Sequence, residues 1–157
     1  MVDDFKFVTD AALGKLAKWL RLLGYDTVVF SKQAGREMLR LADAERRIVL
    51  TRRKDMPERQ FSGRLYLVEG IEVAHQLKEV IRKYSLKINK QEMFNRCLKC
   101  NEKLIYVTRE EVRNLVPPFV FENSSAYNKC LNCCKIYWTG THQRNALQYL
   151  KQNVLPQ

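Results

Sequence analysis

The cysteines carry the clearest chemical pattern in this sequence. Cys97 and Cys100 form one C-x₂-C pair, Cys130 and Cys133 form a second, and 29 residues (101–129) separate the two pairs. Each pair places two thiolates on one side of a tight turn, and two facing turns give the tetrahedral sulfur set of a closed zinc site. The sequence therefore predicts one structural zinc ion in a small zinc ribbon.

The fifth cysteine leaves the ligand set open at one position. Cys134 directly follows Cys133 and offers an alternative thiolate, although the repeated C-x₂-C spacing favours Cys133. A redox dithiol and unligated buried cysteines are the other interpretations, but a redox site usually has one such pair. The N-terminal residues lack a secretory signal, so we expect an intracellular protein, cytoplasmic or nuclear, without disulfides.

Charge predicts a polyanionic partner. The chain has 28 Lys and Arg against 17 Asp and Glu, a net charge of +11. Nucleic acid is favoured over a membrane because the sequence shows no amphipathic helix with a dense lysine cluster and no apolar run of about 18 residues. The alternative is a basic surface that only keeps the protein in solution.

The elements that must position these residues alternate between strands and helices. Strands are predicted over residues 5–8, 27–30, 47–51 and 64–69, and helices after Asp10, over 34–46 and over about 71–84. This order with short connections implies a parallel sheet with helices on both faces. Asp10 follows the first strand, where a carboxylate could bind a divalent metal or cap the next helix.

The pattern changes after residue 90. Residues 85–95 lose the periodicity, so we place an α/β domain at 1–90 and the zinc ribbon at 91–157. Within the second part, strands are predicted over 104–107 and 135–138. A capping box formed by Thr108 and Glu111 predicts a helix over 108–115 that Pro117-Pro118 would end.

Longer motifs resemble a known family. The segments FVTDAALGKLAKWLRLLGYDT, RIVLTRRKDM, RCLKCNEKL and CLNCCKIYWTGTH are similar to the PIN-like RNase domain with a zinc ribbon found at the C-terminus of mutator-type 3′-5′ exonucleases. The resemblance covers nearly the whole chain. It implies a PIN-like fold, RNA as ligand and an exonuclease domain in the same chain. In active members it also implies a carboxylate cluster that binds magnesium or manganese.

This cluster is incomplete at the matching positions. Asp10 matches the first carboxylate, and only Glu37 lies near the second. The third is the aspartate of a T-R-D motif, where this chain has Arg53. Asp55 could substitute if the loop bends. A positive charge at residue 53 opposes a metal by about 3 kcal/mol per unit charge pair at ~5 Å and an effective dielectric constant of ~20.

A positive charge at residue 53 also favours RNA binding. Arg52, Arg53 and Lys54 are expected along the edge where phosphates would pass. Lys15, Lys18 and Arg21, spaced by three residues, are expected to form a second basic row on the first helix, with a solvated helix face as the alternative. Further along the chain, Tyr137 and Trp138 could stack on bases or pack in the core of the ribbon. His142 could pack or contact a phosphate. We expect a structural role for His75.

Three functions are compatible with these patterns. The first is an RNA-binding accessory domain of a larger 3′-5′ exoribonuclease, with a degenerate nuclease site. The second is an active Mg- or Mn-dependent endoribonuclease that uses Asp10, Glu37 and Asp55. The third is a protein-protein docking module that recruits the exonuclease. Charge and Arg53 favour the first function.

Overall fold

Four short strands pair in parallel in the first half of the chain. The computed structural model describes residues 4–156 and gives the sheet order β2-β1-β3-β4. The strands are β1 (Lys6–Thr9), β2 (Asp26–Val29), β3 (Ile48–Thr51) and β4 (Leu65–Leu67). The connecting helices are α1 (Gly14–Leu22), α2 (Arg36–Glu45) and α3 (Val73–Tyr84). The predicted parallel α/β architecture is confirmed.

Helices cover both faces of this sheet. On one face, leucines of α1 and residues Leu77 and Val80 of α3 pack against Phe7 and Leu50 in the largest core cluster. On the other, Met38 of α2 packs in a smaller cluster with strand residues. Strands that are buried on both faces read as continuous apolar runs, and β3 does so because Ile48–Thr51 are all buried.

Gly24 ends the first helical segment. The helix after Asp10 begins as a short 3-10 turn (Ala11–Leu13), continues as α1, and is followed by Gly24 at φ 100°, the left-handed conformation that is common at the C′ position of a helix. A Cβ at Gly24 would lie 2.7 Å from the backbone oxygen of Glu92. Glycine is therefore required at this position, because any side chain would be strained at this φ and would clash with the Glu92 backbone.

The second unit is a small antiparallel sheet. Its strands β5 (Ile105–Val107), β6 (Tyr127–Lys129) and β7 (Ile136–Trp138) pair in the order β5-β6-β7. The helix predicted over 108–115 was wrong: the capping box forms, with the Glu111 N–H 3.3 Å from Thr108 Oγ1, but the turn stops at the 3-10 segment Glu110–Val112. Pro118 opens a helix instead, because proline at a first helical position needs no hydrogen-bond acceptor.

Two helices of the second unit were not predicted. They are α4 (Pro118–Asn123) and α5 (Thr141–Asn153). Leu150 in the last turn of α5 and Val154 just after it pack into the largest core cluster, and the Tyr149 and Trp19 rings stack with centroids 5.0 Å apart. The boundary predicted at residue 90 stays a prediction, and the structure adds that α5 returns to the core of the first unit.

None of the helices within residues 4–156 is long and apolar enough to cross a membrane.

Candidate metal centre and nucleic-acid groove

Four thiols converge where the ribbon meets the parallel sheet. The Sγ atoms of Cys97, Cys100, Cys130 and Cys133 all lie within 4.8 Å of one another, and those of Cys97 and Cys133 are 3.7 Å apart. Cys97 and Cys130 are buried and the other two are half-buried. Thiolates about 2.3 Å from a tetrahedral zinc ion lie roughly 3.8 Å from each other. The set therefore fits a metal such as zinc.

Cys134 has a backbone role that keeps it outside this cluster. Cys134 and Asn101 each follow the last cysteine of their turn, and both are left-handed, with φ of 64° and 68°. In each turn the N–H of this residue donates to the carbonyl of the first cysteine, over 2.8 Å to Cys130 and 2.9 Å to Cys97. Cys134 is exposed. The structure gathers Cys133 with Cys97, Cys100 and Cys130 and leaves Cys134 at the surface.

The Tyr137 hydroxyl supports the cluster from β7. It lies 3.2 Å from Cys97 Sγ and accepts a hydrogen bond from the Leu98 N–H at 3.1 Å, so its own proton is directed at the sulfur. Burial opposes a charge on Cys97, but hydrogen bonds from Tyr137 and from the Cys100 and Lys99 N–H groups outweigh it and lower the Cys97 pKa to about 6. These bonds favour the thiolate, which is the form that binds metal.

Asn101 attaches the first cysteine turn to the outer edge of β2. Its side-chain oxygen accepts from the Thr27 N–H at 2.9 Å, and its nitrogen donates to Asp26 Oδ1 at 2.6 Å. The same carboxylate oxygen accepts from the buried Arg47 at 2.7 Å. Burial opposes ionisation of Asp26, but hydrogen bonds from Arg47 and Asn101 prevail and lower its pKa. These hydrogen bonds fix the cysteine cluster relative to the parallel sheet.

Asp10 is buried at the carboxyl edge of that sheet. Its Oδ2 accepts from the Thr51 hydroxyl at 2.7 Å and from the Arg52 N–H at 3.1 Å, and its side chain does not cap the following helix. Asp10 Oδ1 is buried without a hydrogen-bond partner among the described residues. A buried oxygen of this kind can accept from a ligand or bind a cation.

The other carboxylates suggested by the resemblance do not join Asp10. Glu37 is exposed in the first turn of α2, with Lys32 Nζ at 3.6 Å. Asp55 is paired with Arg53 at 2.8 Å and with Arg59 at 3.4 Å, and the hydrogen bond from Arg53 lowers its pKa. Within residues 4–156, only the cysteines form a cluster of three or more metal-ligating side chains.

A basic groove opens next to Asp10. It has a volume of about 970 Å³ and lies between the start of α1, the start of α3 and the first cysteine turn. Ala11 and Gly14 border it, which leaves room for a ligand. Its charged lining comprises Glu72, the buried Arg21 and four exposed lysines: Lys15, Lys18, Lys99 and Lys135. Like charges along one cleft attract an anionic chain.

One family model matches the chain. It is described as the Mut7-C RNAse domain, and the match covers residues 5–150. The chain belongs to the Mut7-C RNAse domain family. The matched range includes the parallel sheet, the cysteine cluster and most of α5, so both units belong to the family pattern. RNA is the substrate that an RNase domain family suggests. Neither a curated protein nor a solved structure matches the chain.

Arg21 occupies a structural position in this Mut7-C RNAse domain, whereas we expected it in an exposed row with Lys15 and Lys18. Three-residue steps turn about 60° backwards around a helix, so Arg21 lies about 120° from Lys15. It is buried, its Nε donates to the Thr27 carbonyl at 2.8 Å, and burial lowers its pKa. Lys15 and Lys18 are exposed and line the groove.

The basic residues after β3 are partly engaged by the fold. The Arg52 guanidinium donates to the carbonyl of Gly70, and the Arg53 guanidinium donates to the carbonyl of Ala34 as well as to Asp55. Lys54 is exposed. Arg52 and Arg53 therefore connect loops at the sheet edge through these hydrogen bonds, and neither side chain lines the groove.

Two lysines of the groove were missed by the sequence reasoning. Lys99 lies within the first cysteine turn, and Lys135 follows the second turn. The sequence did contain a signal for them, namely a basic residue within the first cysteine turn and another shortly after the second. Among the residues left open, Trp138 packs against the ribbon core, whereas His142 and His75 are exposed.

Proposed function

We propose that this chain is an RNA-binding accessory domain of a larger 3′-5′ exoribonuclease, PIN-like in fold and with a degenerate nuclease site. The observation that carries the proposal is the lysine-lined groove beside Asp10. Four lysines, from α1, from the first cysteine turn and from just after the second, line one cleft, and their positive charges attract the phosphates of RNA. Contacts of this kind bind RNA with little sequence preference.

Three features support a degenerate nuclease site. Asp10 stands without a second carboxylate partner among the described residues, Arg53 holds the position of the expected aspartate, and Asp55 is neutralised by Arg53 and Arg59. Phosphodiester hydrolysis by two-metal sites needs several acidic ligands around the ions. An edge with this charge favours holding RNA over cutting it.

We propose zinc as the metal of the cysteine cluster, bound by Cys97, Cys100, Cys130 and Cys133. Zinc there would supply folding free energy and no reactivity, because four thiolates fill its tetrahedral positions. The chain's own groups do the rest: Tyr137 and the turn N–H groups stabilise the thiolates, and Asn101 and Arg21 hold the turn against β2. The centre thereby positions Lys99 and Lys135 in the groove.

RNA binding at several salt concentrations tests the main proposal. Wild-type protein should bind a labelled RNA with an affinity that falls steeply as salt rises. The Lys15→Glu/Lys18→Glu variant should bind at least about tenfold more weakly and show a shallower salt dependence. The matched control is Lys78→Glu/Lys83→Glu, which makes the same charge change on exposed positions of α3 outside the groove. Equal loss in both variants, or no RNA binding by wild type, contradicts the proposal.

A second candidate function is a Mg- or Mn-dependent endoribonuclease. The observation that favours it is Asp10 Oδ1, buried and without a partner among the described residues. The same preparation, incubated with RNA and Mn²⁺, separates the two functions. The accessory proposal expects intact RNA. Cleavage by wild type that Asp10→Asn abolishes would establish the nuclease instead.

A further inference from the structure

A smaller cavity lies on the other side of Lys135 from the lysine groove. It has a volume of about 340 Å³ and is bounded by β7, the start of α5 and the end of α1. Its wall is mainly apolar and aromatic, and its polar side chains include Lys135, His142 and Gln143. Small, largely apolar cavities with a few polar groups are typical of sites for flat organic groups. We call this cavity the aromatic pocket.

The aromatic pocket and the lysine groove are neighbours that share part of their walls. Leu98 and Lys135 line both of them. Lys135 Nζ lies 5.2 Å from the centroid of the Tyr137 ring, which holds the ammonium group at the junction of the two cavities. A ligand with an anionic chain and flat apolar substituents could therefore occupy the groove and the pocket at once.

Phe94 lines the pocket from a strained backbone position. It has φ 63°, a conformation that bulky residues rarely adopt, and its N–H donates to the Leu22 carbonyl at 2.9 Å. Residues kept in such conformations cluster at ligand sites, where the surrounding structure fixes them. Both Phe94 and Leu22 belong to the pocket wall.

We infer that the aromatic pocket receives one unpaired base of an RNA strand whose phosphates lie in the lysine groove. This inference rests on the proposed RNA-binding function and narrows its substrate to single-stranded RNA. The face of a base suits the aromatic and aliphatic wall, and Gln143 and His142 can contact its polar edge. A base in a duplex is stacked and paired, so it cannot enter without being extruded.

Binding of a labelled single-stranded RNA and of its blunt duplex tests this inference. Wild type should bind the single strand at least about tenfold more tightly than the duplex at the same salt. Ala146→Phe fills the pocket and should remove this preference while duplex binding stays unchanged. Ala44→Phe is the matched control, because Ala44 is exposed on α2. An unchanged preference in folded Ala146→Phe overturns the inference.

A single-stranded ribose-phosphate chain without bases gives a second test that needs no variant. Wild type should bind this base-free chain at least about tenfold more weakly than the intact single strand, with an affinity close to that for the duplex. Equal affinity for the strands with and without bases overturns the inference and leaves the lysine groove intact. If neither RNA form binds at low salt, the proposed function itself fails.

Discussion

Arg21 Nη1 lies 2.8 Å from the carbonyl oxygen of Leu98, a residue 77 positions later in the chain. The Nε of the same guanidinium donates to the carbonyl of Thr27 on β2. One buried side chain thus connects α1, the edge of the parallel sheet and the first cysteine turn. This link holds the cysteine cluster against the α/β unit and sets the position of the neighbouring Lys99 in the groove.

Arg21→Ala should lower the stability of the protein. The Leu98 and Thr27 carbonyls would lose a charged donor in a partly buried place, which costs about 2–3 kcal/mol of unfolding free energy. Lys18→Ala, one turn earlier and exposed, should change it by less than about 0.5 kcal/mol. Denaturant unfolding of both variants measures the difference.

The opposite result would restore the interpretation drawn from sequence spacing. If Arg21→Ala unfolds like wild type and loses RNA affinity, Arg21 is an RNA contact. If Lys18→Ala is the variant that loses stability, the assignment of structural and exposed positions on α1 is incorrect. RNA binding and unfolding are therefore measured on the same preparations.

The comparison of Arg21 with the cysteines shows what sequence reasoning could reach. The cysteine cluster follows from short-range spacing, because each C-x₂-C turn positions two thiols without help from distant residues. The burial of Arg21 depends on acceptors such as Leu98, 77 residues away, and no local pattern encodes that partner. Long-range hydrogen bonds of buried charges are therefore the part that sequence alone misses.

The C-terminal helix is a different kind of omission. Ala146, Leu147, Leu150 and Val154 recur at helical spacing, so the sequence contains the signal for α5. Its destination was not predictable, because packing of Leu150 and Val154 into the core of the α/β unit is decided by tertiary contacts. Likewise, Pro117-Pro118 was predicted as a helix stop, but it precedes α4 because proline suits the first helical turn.

Zinc content should depend on Cys130 and not on Cys134. Wild type and Cys134→Ser purified without added metal should each contain about one zinc per chain, whereas Cys130→Ser should contain much less and unfold at lower temperature. Cys134 is exposed and lies outside the thiol cluster, so it is the matched control. Elemental analysis and thermal unfolding measure both quantities. Loss of zinc in Cys134→Ser would mean that this thiolate replaces Cys133 in the ligand set.

Acidification should remove the stability that Asp26 contributes. The folded-state pKa of Asp26 is lowered, against the effect of burial, by Arg47 and Asn101. Its contribution is therefore full above the unfolded-state pKa near 3.9 and is lost as pH falls through the lower folded pKa. The gap in unfolding free energy between wild type and Asp26→Asn should be constant from about pH 7 to 5 and shrink below about pH 4.

Wild type and Asp26→Asn contain the same cysteine cluster, so the effect of acid on the thiolates cancels in the difference between their unfolding free energies. Asp43→Asn, a substitution at an exposed position of α2, should stay within about 0.5 kcal/mol of wild type across the same range. A gap for Asp26→Asn that widens on acidification, or no gap at neutral pH, contradicts the role given to the Asp26 carboxylate.

Arg53→Asp should create affinity for Mn²⁺ at the carboxyl edge of the sheet. The Thr51 hydroxyl donates to Asp10 at 2.7 Å and accepts from the Arg53 N–H at 3.1 Å. The backbone of residue 53 is therefore linked to the Asp10 carboxylate through a single shared hydroxyl group. The substitution removes a repulsive charge, adds a carboxylate and removes the ion pair between Arg53 and Asp55. One unit charge at ~5 Å counts for about 3 kcal/mol at an effective dielectric constant of ~20.

Calorimetric titration should therefore find Mn²⁺ binding at least about tenfold tighter in Arg53→Asp than in wild type. Arg59→Asp is the control, because Arg59 also pairs with Asp55 but lies at the end of the next 3-10 turn. Adding Asp10→Asn to Arg53→Asp should abolish the gain, since Asp10 Oδ1 is the buried acceptor without a partner among the described residues. If Arg53→Asp binds Mn²⁺ no better than Arg59→Asp, Arg53 is not what excludes a metal from this edge.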